Sequence, residues 1–169
     1  MFIRPRSATD PFRTLSLCVD DVCWCFLVNR LLLNPSKTEA VLFGTCIQCD
    51  TVPTSGVINI AGTLVPFCNT VKLLGVTIDS ALSMDQHVTK VVCSCNYHIR
   101  ALRNIRPLLM RMPDVAKMLA HSIVTSRLDH ANALLSGTTN GNLDRLQVAQ
   151  NSLARVVCQA SHSANATEL

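Results

Sequence analysis

The hydrophobic pattern of the chain has two parts: short apolar runs separated by turn residues come first, and apolar positions at helical spacing follow. One early segment, Asp10–Arg30, also has helical spacing. Its apolar positions on one face are Leu15, Cys18, Val22, Cys25 and Phe26. Asp10 followed by Pro11 is typical of a helix start, with Asp10 as N-cap. We therefore predict a helix before the first strands.

A hairpin is predicted over Leu31–Gly44. The apolar triplet Leu31–Leu33 runs into Asn34–Lys37, and a second apolar run, Ala40–Phe43, follows. Asn before Pro disfavours helix, and Pro presets the dihedral of a turn. Short apolar runs bounded by turn residues indicate strands. We expect one face of this hairpin to be buried, with Lys37 at its tip.

More strand signals follow a predicted loop at Thr45–Ser55. Val57–Ile60 and Thr63–Val65 flank a turn, and Asn69–Asp79 forms a third apolar strand region. Gly75 lies inside that last region. A glycine within a strand marks a bulge or a close backbone approach.

The remainder of the chain is predicted to be helical. Ser83 and Gln86 form a capping box that begins a helix over Met84–Ile105. Its predicted apolar face comprises Val88, Val91, Val92, Cys95, Ile99 and Leu102. Its other side carries Lys90, Cys93, Tyr97, Arg100 and Asn104, flanked by Arg103. Pro107 stops this helix.

Two more helices are predicted, at Asp114–Ser126 and Leu143–Ala160. Leu128–Leu135 either extends the first of them or begins another, and Gly137–Gly141 is a break. Leu143, Leu146, Ala149, Leu153 and Val157 are expected to face inward. The fold class is therefore α+β, with a small antiparallel sheet followed by a helical bundle.

Composition and charge change this picture in two ways. Of the 169 residues, 49% are hydrophobic and only 15% are charged, against about 25% charged in an average soluble domain. This indicates a piece of a larger protein or a chain that needs a partner. The net charge of +4 is unevenly distributed, because Ser80–Arg127 holds seven basic and two acidic residues. A local excess of +5 favours a phosphate-bearing partner there.

The nine cysteines are an odd number, and the first residues lack the apolar core of a secretory signal. We expect an intracellular protein with reduced thiols. Cys46-x-x-Cys49 and Cys93-x-Cys95 raise the alternative of a zinc site, but the second spacing is unusual and we predict no metal site. The long uncharged stretch Thr51–Val71 contains prolines and glycines, so we predict no membrane span.

The segment Asn34–Glu39, followed by an apolar strand and Phe43-Gly44, resembles the region just beyond the catalytic hairpin in reverse transcriptases of LINE-type (non-LTR) retrotransposons. The resemblance continues in order along about Leu15 to Val157. Val71–Asp79 resembles the primer-grip strand and the start of the thumb. His98–Arg103 and Ser126–Asp129 resemble thumb segments, and Leu146–Arg155 resembles the helix that follows.

This resemblance implies a domain organisation. Residues 10–79 correspond to the end of the palm and 80–160 to a thumb-like helical region, between a disordered tail at 1–9 and a frayed tail at 161–169. The family performs RNA-directed DNA synthesis with magnesium. For this chain the resemblance implies weak binding of an RNA/DNA primer–template, no cofactor of its own, and the missing N-terminal part of the polymerase as a possible partner.

Asp20 and Asp21 are the obvious catalytic candidates, because a polymerase uses paired carboxylates to hold two metal ions. The residue Cys18 stands where the family has an aromatic side chain. At helical spacing, adjacent aspartates point about 100° apart. The family places a whole helix between its catalytic aspartates and the hairpin, whereas Asp21 and Lys37 are 16 residues apart. We therefore predict that Asp20 and Asp21 lie on a solvated helix face and assign no catalytic residue.

The resemblance also implies binding residues. Lys37 would lie near the triphosphate, and Leu74 with Gly75 would grip the primer. The competing structural interpretation of Lys37 is a solvated lysine in a turn. For Leu74 and Gly75 it is a buried strand with a bulge.

The arginines Arg100, Arg103 and Arg106 are suited to follow a phosphate backbone, and Tyr97 beside them is suited to stack on a base. The alternative is that these residues form an ordinary solvated helix face.

Two other hypotheses stand for the whole chain: a helical protein-interaction module without a nucleic-acid role, and a decayed element remnant that does not fold stably.

Overall fold

Two structural units divide the chain, Met1–Val71 and Lys72–Leu169. The computed structural model describes residues 11–44, 57–60, 62–161 and 165. The predictions for the tail at 1–9, the Asp10 cap, the Thr45–Ser55 loop and most of the tail at 161–169 lie outside these residues. The predicted α+β class is confirmed, since small sheets, largely antiparallel, are combined with several helices.

Helix α1 spans Pro11–Val28. Leu15 and Val19 pack against the core of the first unit, which comprises Ile58, Ile60 and Val65. The predicted apolar face is only partly correct, because Val22 and Cys25 are exposed. The helix contacts a strand of four residues, about 13 Å long, whereas 18 helical residues extend about 27 Å. This short strand leaves part of the apolar face in solvent.

The predicted hairpin over Leu31–Gly44 is wrong. Leu31–Leu33 forms no strand, and Pro35–Lys37 forms a short 3₁₀ helix. The side chain of Asn34 accepts hydrogen bonds from the backbone N–H of Ser36 at 3.1 Å and from its hydroxyl at 2.6 Å. This local capping favours a helical turn over a two-residue chain reversal. Strand β1 is only Ala40–Val41, and its partner is a later strand.

Strands β2 (Val57–Ile60) and β3 (Thr63–Cys68) form the predicted antiparallel pair. Strand β3 is longer than predicted, and its last residues pair in parallel with β1, Ala40 opposite Phe67. The sheet order is β1-β3-β2. Alternate residues of β2 are buried, as expected for a sheet with one face on a core.

The region Asn69–Asp79 contains two strands where one bulged strand was predicted. Strands β4 (Thr70–Leu73) and β5 (Val76–Asp79) pair with each other. Leu74 and Gly75 join them with φ angles of 49° and 88°. Positive φ at both central residues is the requirement of a type I′ turn, the turn that matches strand twist. Gly75 therefore serves a hairpin turn here.

Helix α2 spans Asp85–Ile105, one residue shorter than predicted. Four residues of its predicted apolar face are buried, and Val91 and Val92 are half-buried. Its start differs from the predicted capping box. Met84 precedes it with a φ of 65° and no side-chain cap of its own. The carboxylate of Asp79 accepts from the backbone N–H groups of Ser83 and Met84, both at 2.9 Å. The hydroxyl of Ser83 accepts from the N–H of Asp85.

A 3₁₀ turn at Arg106–Leu109 follows α2. Helix α3 then spans Pro113–Ala120. A π-helical turn at His121–Thr125 connects it to the short helix α4, Ser126–Asp129. A 3₁₀ turn follows at Asn132–Leu135. Helix α5 spans Asn140–Cys158. It begins three residues earlier than predicted, inside the predicted break, because Thr139 caps it by accepting from the N–H of Asn142.

The core of the second unit lies between α2, α3 and α5. Small side chains, Cys95, Ala120 and Ala149, bring these helices close together. The other buried members are Ile99, Leu102, Val124, Leu153 and Val156. A neighbouring cluster of Val76, Met84, Val88 and Leu135 joins β5 to the first turns of α2. The predicted inward residue Leu143 is exposed, while Ala149 and Leu153 are buried as predicted.

Candidate nucleic-acid interface

The exposed side of α2 carries the predicted basic residues. Tyr97, Arg100 and Arg103 are all solvent-exposed, and Tyr97 is 71% exposed. The three residues follow one another at three-residue steps, so their side chains lie on adjoining parts of the helix surface. From Tyr97 to Arg103 the helix rises about 9 Å. That length corresponds to two or three phosphates of one strand at about 3.4 Å of rise per phosphate.

Arg106 has a different environment from the other two predicted arginines. Its side chain is half-buried. Its Nε donates to the carbonyl of Val157 at 2.9 Å, and its Nη1 donates to the carbonyl of Leu109 at 3.0 Å. Arg106 therefore ties the last turn of α5 to the end of α2. A guanidinium has five N–H donors, so three remain after these two bonds.

A concavity of about 450 Å³ lies beside Arg106, between the C-terminal ends of α2 and α5. Its lining residues are Arg103, Arg106, Pro107, Ser152, Arg155, Val156, Gln159 and Ala160. Three of them are arginines, and none of the described lining residues is acidic. The concavity thus continues the basic surface of α2 across to α5.

No family model matches the chain. No curated protein and no solved structure is similar to it either. The resemblance to reverse transcriptases therefore rests on the sequence motifs alone.

Leu74 and Gly75 lie at the tip of the β4–β5 hairpin. Leu74 is 88% exposed, and its carbonyl lies 3.4 Å from Nε2 of His130. Strand β5 packs on α2 at the end where Asp79 caps that helix, whereas Arg103 and Arg106 are at the other end. Since α2 has 21 residues, its ends are about 30 Å apart. The hairpin tip is therefore not part of the concavity.

Lys37 is exposed at the end of the 3₁₀ helix in the first unit. Asp20 and Asp21 are exposed on α1, the solvated helix face that the sequence predicts. Their position on a helix does not resemble the strand turn on which the family's catalytic aspartates lie.

Residues with metal-binding chemistry do not converge in the part of the chain that the structure describes. No group of three or more His, Cys, Asp or Glu residues there is arranged to hold a metal ion. Cys95 is buried and Cys93 is exposed, so these two face different surroundings; Cys46 and Cys49 lie outside the described residues. Among the described helices, none combines the length and apolar character needed to cross a bilayer.

One buried titratable residue lies under the β4–β5 hairpin. The Nδ1 of His87 is 3.4 Å from the backbone N–H of Thr77, from which it accepts. Burial, together with the nearby charges of His130 and Lys90, lowers the pKa of His87 below its usual 6.5. Lys90 donates to the hydroxyl of Thr77 at 3.0 Å. These bonds attach the hairpin to α2.

Sequence reasoning missed Arg155 and Ser152 as members of the basic surface. Ser152 and Arg155 share one face of α5, three residues apart, and this spacing was readable in advance. Whether this face of α5 lies next to Arg103 of α2 depends on how the two helices pack. No local sequence signal encodes that packing.

Proposed function

We propose that the second unit binds the sugar–phosphate backbone of a nucleic acid through the exposed side of α2, as the thumb of a LINE-type reverse transcriptase would. In this proposal the chain holds a primer–template weakly, and the catalytic aspartates and magnesium belong to another part of the polymerase. The observation that carries it is the surface formed by Tyr97, Arg100 and Arg103. An aromatic side chain and two guanidinium groups share one exposed face of this helix.

The proposal predicts a definite salt dependence. Phosphate contacts release condensed counterions, so the logarithm of the binding constant falls with the logarithm of salt concentration by about 0.7 to 0.9 per contact. Two contacts, from Arg100 and Arg103, therefore predict a slope of about −1.4 to −1.8. The exposed ring of Tyr97 adds a stacking surface worth about 1 to 3 kcal/mol for an unpaired base.

The test is fluorescence anisotropy of a labelled primer–template duplex with a single-stranded overhang, titrated with the full chain at several salt concentrations. We expect replacement of Arg100 and Arg103 by Ala to reduce the slope by about 1.4 to 1.8 and to weaken binding to all sequences alike. The matched control is Arg111→Ala with Lys117→Ala, which removes two exposed basic residues from outside this surface. A double mutant at Arg100 and Arg103 with the wild-type slope would overturn the proposal.

A protein-interaction role is the second candidate, and a specific observation favours it. Helix α1 exposes several large apolar side chains, and Trp24 is 68% exposed. The others are Leu17, Val22, Leu27 and Val28. In the reverse-transcriptase proposal, the rest of the palm covers them. Absence of any salt-dependent oligonucleotide binding would leave protein interaction as the better-supported function.

A further inference from the structure

We propose that strand β5 opens locally from α2 when the pH falls, because His87 can hold Thr77 of that strand only as a neutral imidazole. The opening is confined to the stretch between two fixed points, the Leu74–Gly75 turn and Asp79. All of these residues belong to the second unit. The proposal is independent of whether α2 binds nucleic acid.

The first argument is the contact between His87 and β5. His87 is 3% exposed in the first turn of α2, and its Nδ1 accepts from the backbone N–H of Thr77 at 3.4 Å. Thr77 is itself 2% exposed. An imidazole nitrogen accepts a hydrogen bond only when it carries no proton. The neutral ring therefore has its proton on Nε2, and a second proton on Nδ1 would set two N–H donors against each other.

The second argument is the charge around His87. Lys90, three residues further along α2, donates to the hydroxyl of Thr77 at 3.0 Å, so both side chains hold the same residue of β5. His130 follows α4, and the carboxylate before it, Asp129, is exposed. Burial, and then the positive charges of His130 and Lys90, lower the pKa of His87 below 6.5. Each of these effects disfavours the protonated ring while the strand is docked.

Carboxylates do not compensate this charge in the described part of the chain. None is among the groups that shift the pKa of His87. Asp79 of β5 is used as the cap of α2, and Asp85 of α2 accepts from the side-chain amide of Asn142 at 2.6 Å. Arg145 of α5, which donates to the side-chain oxygen of Asn142, adds a further positive charge. A proton on His87 therefore joins a basic cluster without gaining an ion-pair partner.

The third argument is that both ends of the opening segment stay fixed in acid. Nε2 of His130 lies 3.4 Å from the carbonyl of Leu74. A carbonyl only accepts, so Nε2 is the donor, and protonation of His130 leaves this N–H in place. The pKa of Asp79 lies below 3.8, so its carboxylate still caps α2 at about pH 5 to 6. The opening therefore concerns Val76–Ile78.

Linkage gives the size of the effect. In the open state His87 is solvated and recovers a pKa of about 6.5. Above that pH the ring is neutral in both states, and docking is fully retained. Below it, the equilibrium shifts toward the open state by up to about tenfold for each pH unit, until the pH reaches the lowered pKa of the docked ring.

The test is hydrogen exchange of the isotopically labelled full chain, followed by NMR on either side of the ordinary histidine pKa, at about pH 7.5 and about pH 5.5. Protection factors are compared, because they remove the intrinsic pH dependence of exchange. The N–H of Thr77 is expected to lose up to about tenfold in protection at the lower pH. Its exchange is expected to change little with dilute urea, since a local opening exposes little surface. The N–H groups of Cys95 and Ile99, in the buried core of α2, serve as reporters of global unfolding.

Two variants assign the effect to His87. His87→Gln offers a neutral acceptor at both pH values and is expected to abolish the loss of protection at Thr77. The matched control is His98→Gln, on the same helix outside the cluster, which is expected to keep it. Circular dichroism checks that each variant is folded. If His87→Gln does not fold, His130→Gln replaces it; this variant removes one opposing positive charge, so the loss at Thr77 is expected to be smaller than in wild type.

The ¹⁵N shifts of the His87 ring at about pH 7.5 give a second measurement, for which we expect a proton on Nε2 and none on Nδ1. A proton on Nδ1 would overturn the proposal. Unchanged protection at Thr77 between the two pH values would also overturn it, as would a loss that persists in full in His87→Gln or His130→Gln. A loss at Thr77 with the same urea dependence as at Cys95 and Ile99 would show global unfolding in place of a local opening.

Discussion

Replacement of Asp79 by Ala is expected to destabilise the second unit by removing the cap of α2. Both carboxylate oxygens are used: Oδ2 accepts from the N–H of Ser83 and Oδ1 from the N–H of Met84, each at 2.9 Å. Met84 is buried and packs in the cluster that joins β5 to α2. The cap therefore holds the junction between the hairpin and the longest helix.

The magnitude follows from these bonds. A hydrogen bond to a charged acceptor contributes about 1.5 to 3 kcal/mol. Asp79 is half-buried, so water replaces part of what the carboxylate provides. We expect Asp79→Ala to lower the free energy of unfolding by about 2 kcal/mol at pH 7, or about 30-fold in the unfolding equilibrium. Asp79→Asn keeps one acceptor oxygen and is expected to lose about half as much.

The pH dependence gives an independent check. Burial alone raises the pKa of Asp79, but the hydrogen bonds from Ser83 and Met84 outweigh it and lower the pKa below 3.8. The unfolded carboxyl group therefore takes up a proton at a higher pH than the folded one. The stabilisation is present above about pH 4 and is lost as the pH falls through the folded pKa. The difference between wild type and Asp79→Ala is expected to shrink accordingly at acid pH.

The assay is urea unfolding of the full chain, followed by far-ultraviolet circular dichroism at neutral and acid pH. The control is Asp144→Ala, on an exposed residue of α5, which is expected to change the free energy by less than about 0.5 kcal/mol. An Asp79→Ala variant as stable as the control at pH 7 would refute this account of the helix start.

Four further outcomes are expected. Leu74→Gly stabilises the hairpin by about 1 kcal/mol in urea unfolding, since an L residue in the left-handed region costs about that much; destabilisation would contradict the type I′ turn. Because the pKa of His87 is lowered, stability falls as the pH drops below about 6.5, and His87→Gln removes this dependence; an unchanged pH profile in the variant would exclude His87 as its source. Arg106→Ala costs about 2 kcal/mol, because two charged hydrogen bonds to carbonyls are lost; near-neutrality would show that the tie to α5 is weak. The chain incorporates no nucleotides on a primed RNA template with magnesium, and incorporation abolished by Asp20→Ala with Asp21→Ala would reverse our assignment of these residues.

Local signals explain why α2 was predictable. Its apolar repeat and the stop at Pro107 both lie within the segment itself, and the helix begins within one residue of the prediction. The exposed positions of Tyr97, Arg100 and Arg103 followed from the same repeat. The pair β2 and β3 was predictable for a similar reason, since a short glycine-containing turn joins two apolar runs.

Non-local interactions explain the errors. The parallel pairing of Ala40–Val41 with β3 joins segments more than 20 residues apart, and nothing near residue 40 encodes it. Leu74 has a positive φ in the turn, which leucine rarely adopts. The sequence therefore lacks the Asn-Gly or Asp-Gly pair that usually indicates such a hairpin. Asp79 caps a helix that begins six residues later, outside the window of a capping box. Arg103 and Arg155 line one concavity only because α2 and α5 pack together.

The most direct test of the central claim is a residue-resolved one. The isotopically labelled full chain is titrated with a short single-stranded oligonucleotide, and amide and arginine side-chain shifts are followed by NMR. The account predicts the largest shifts at Tyr97, Arg100 and Arg103, with α1 unaffected. Shifts confined to α1, or none along α2 while the oligonucleotide binds, would contradict it.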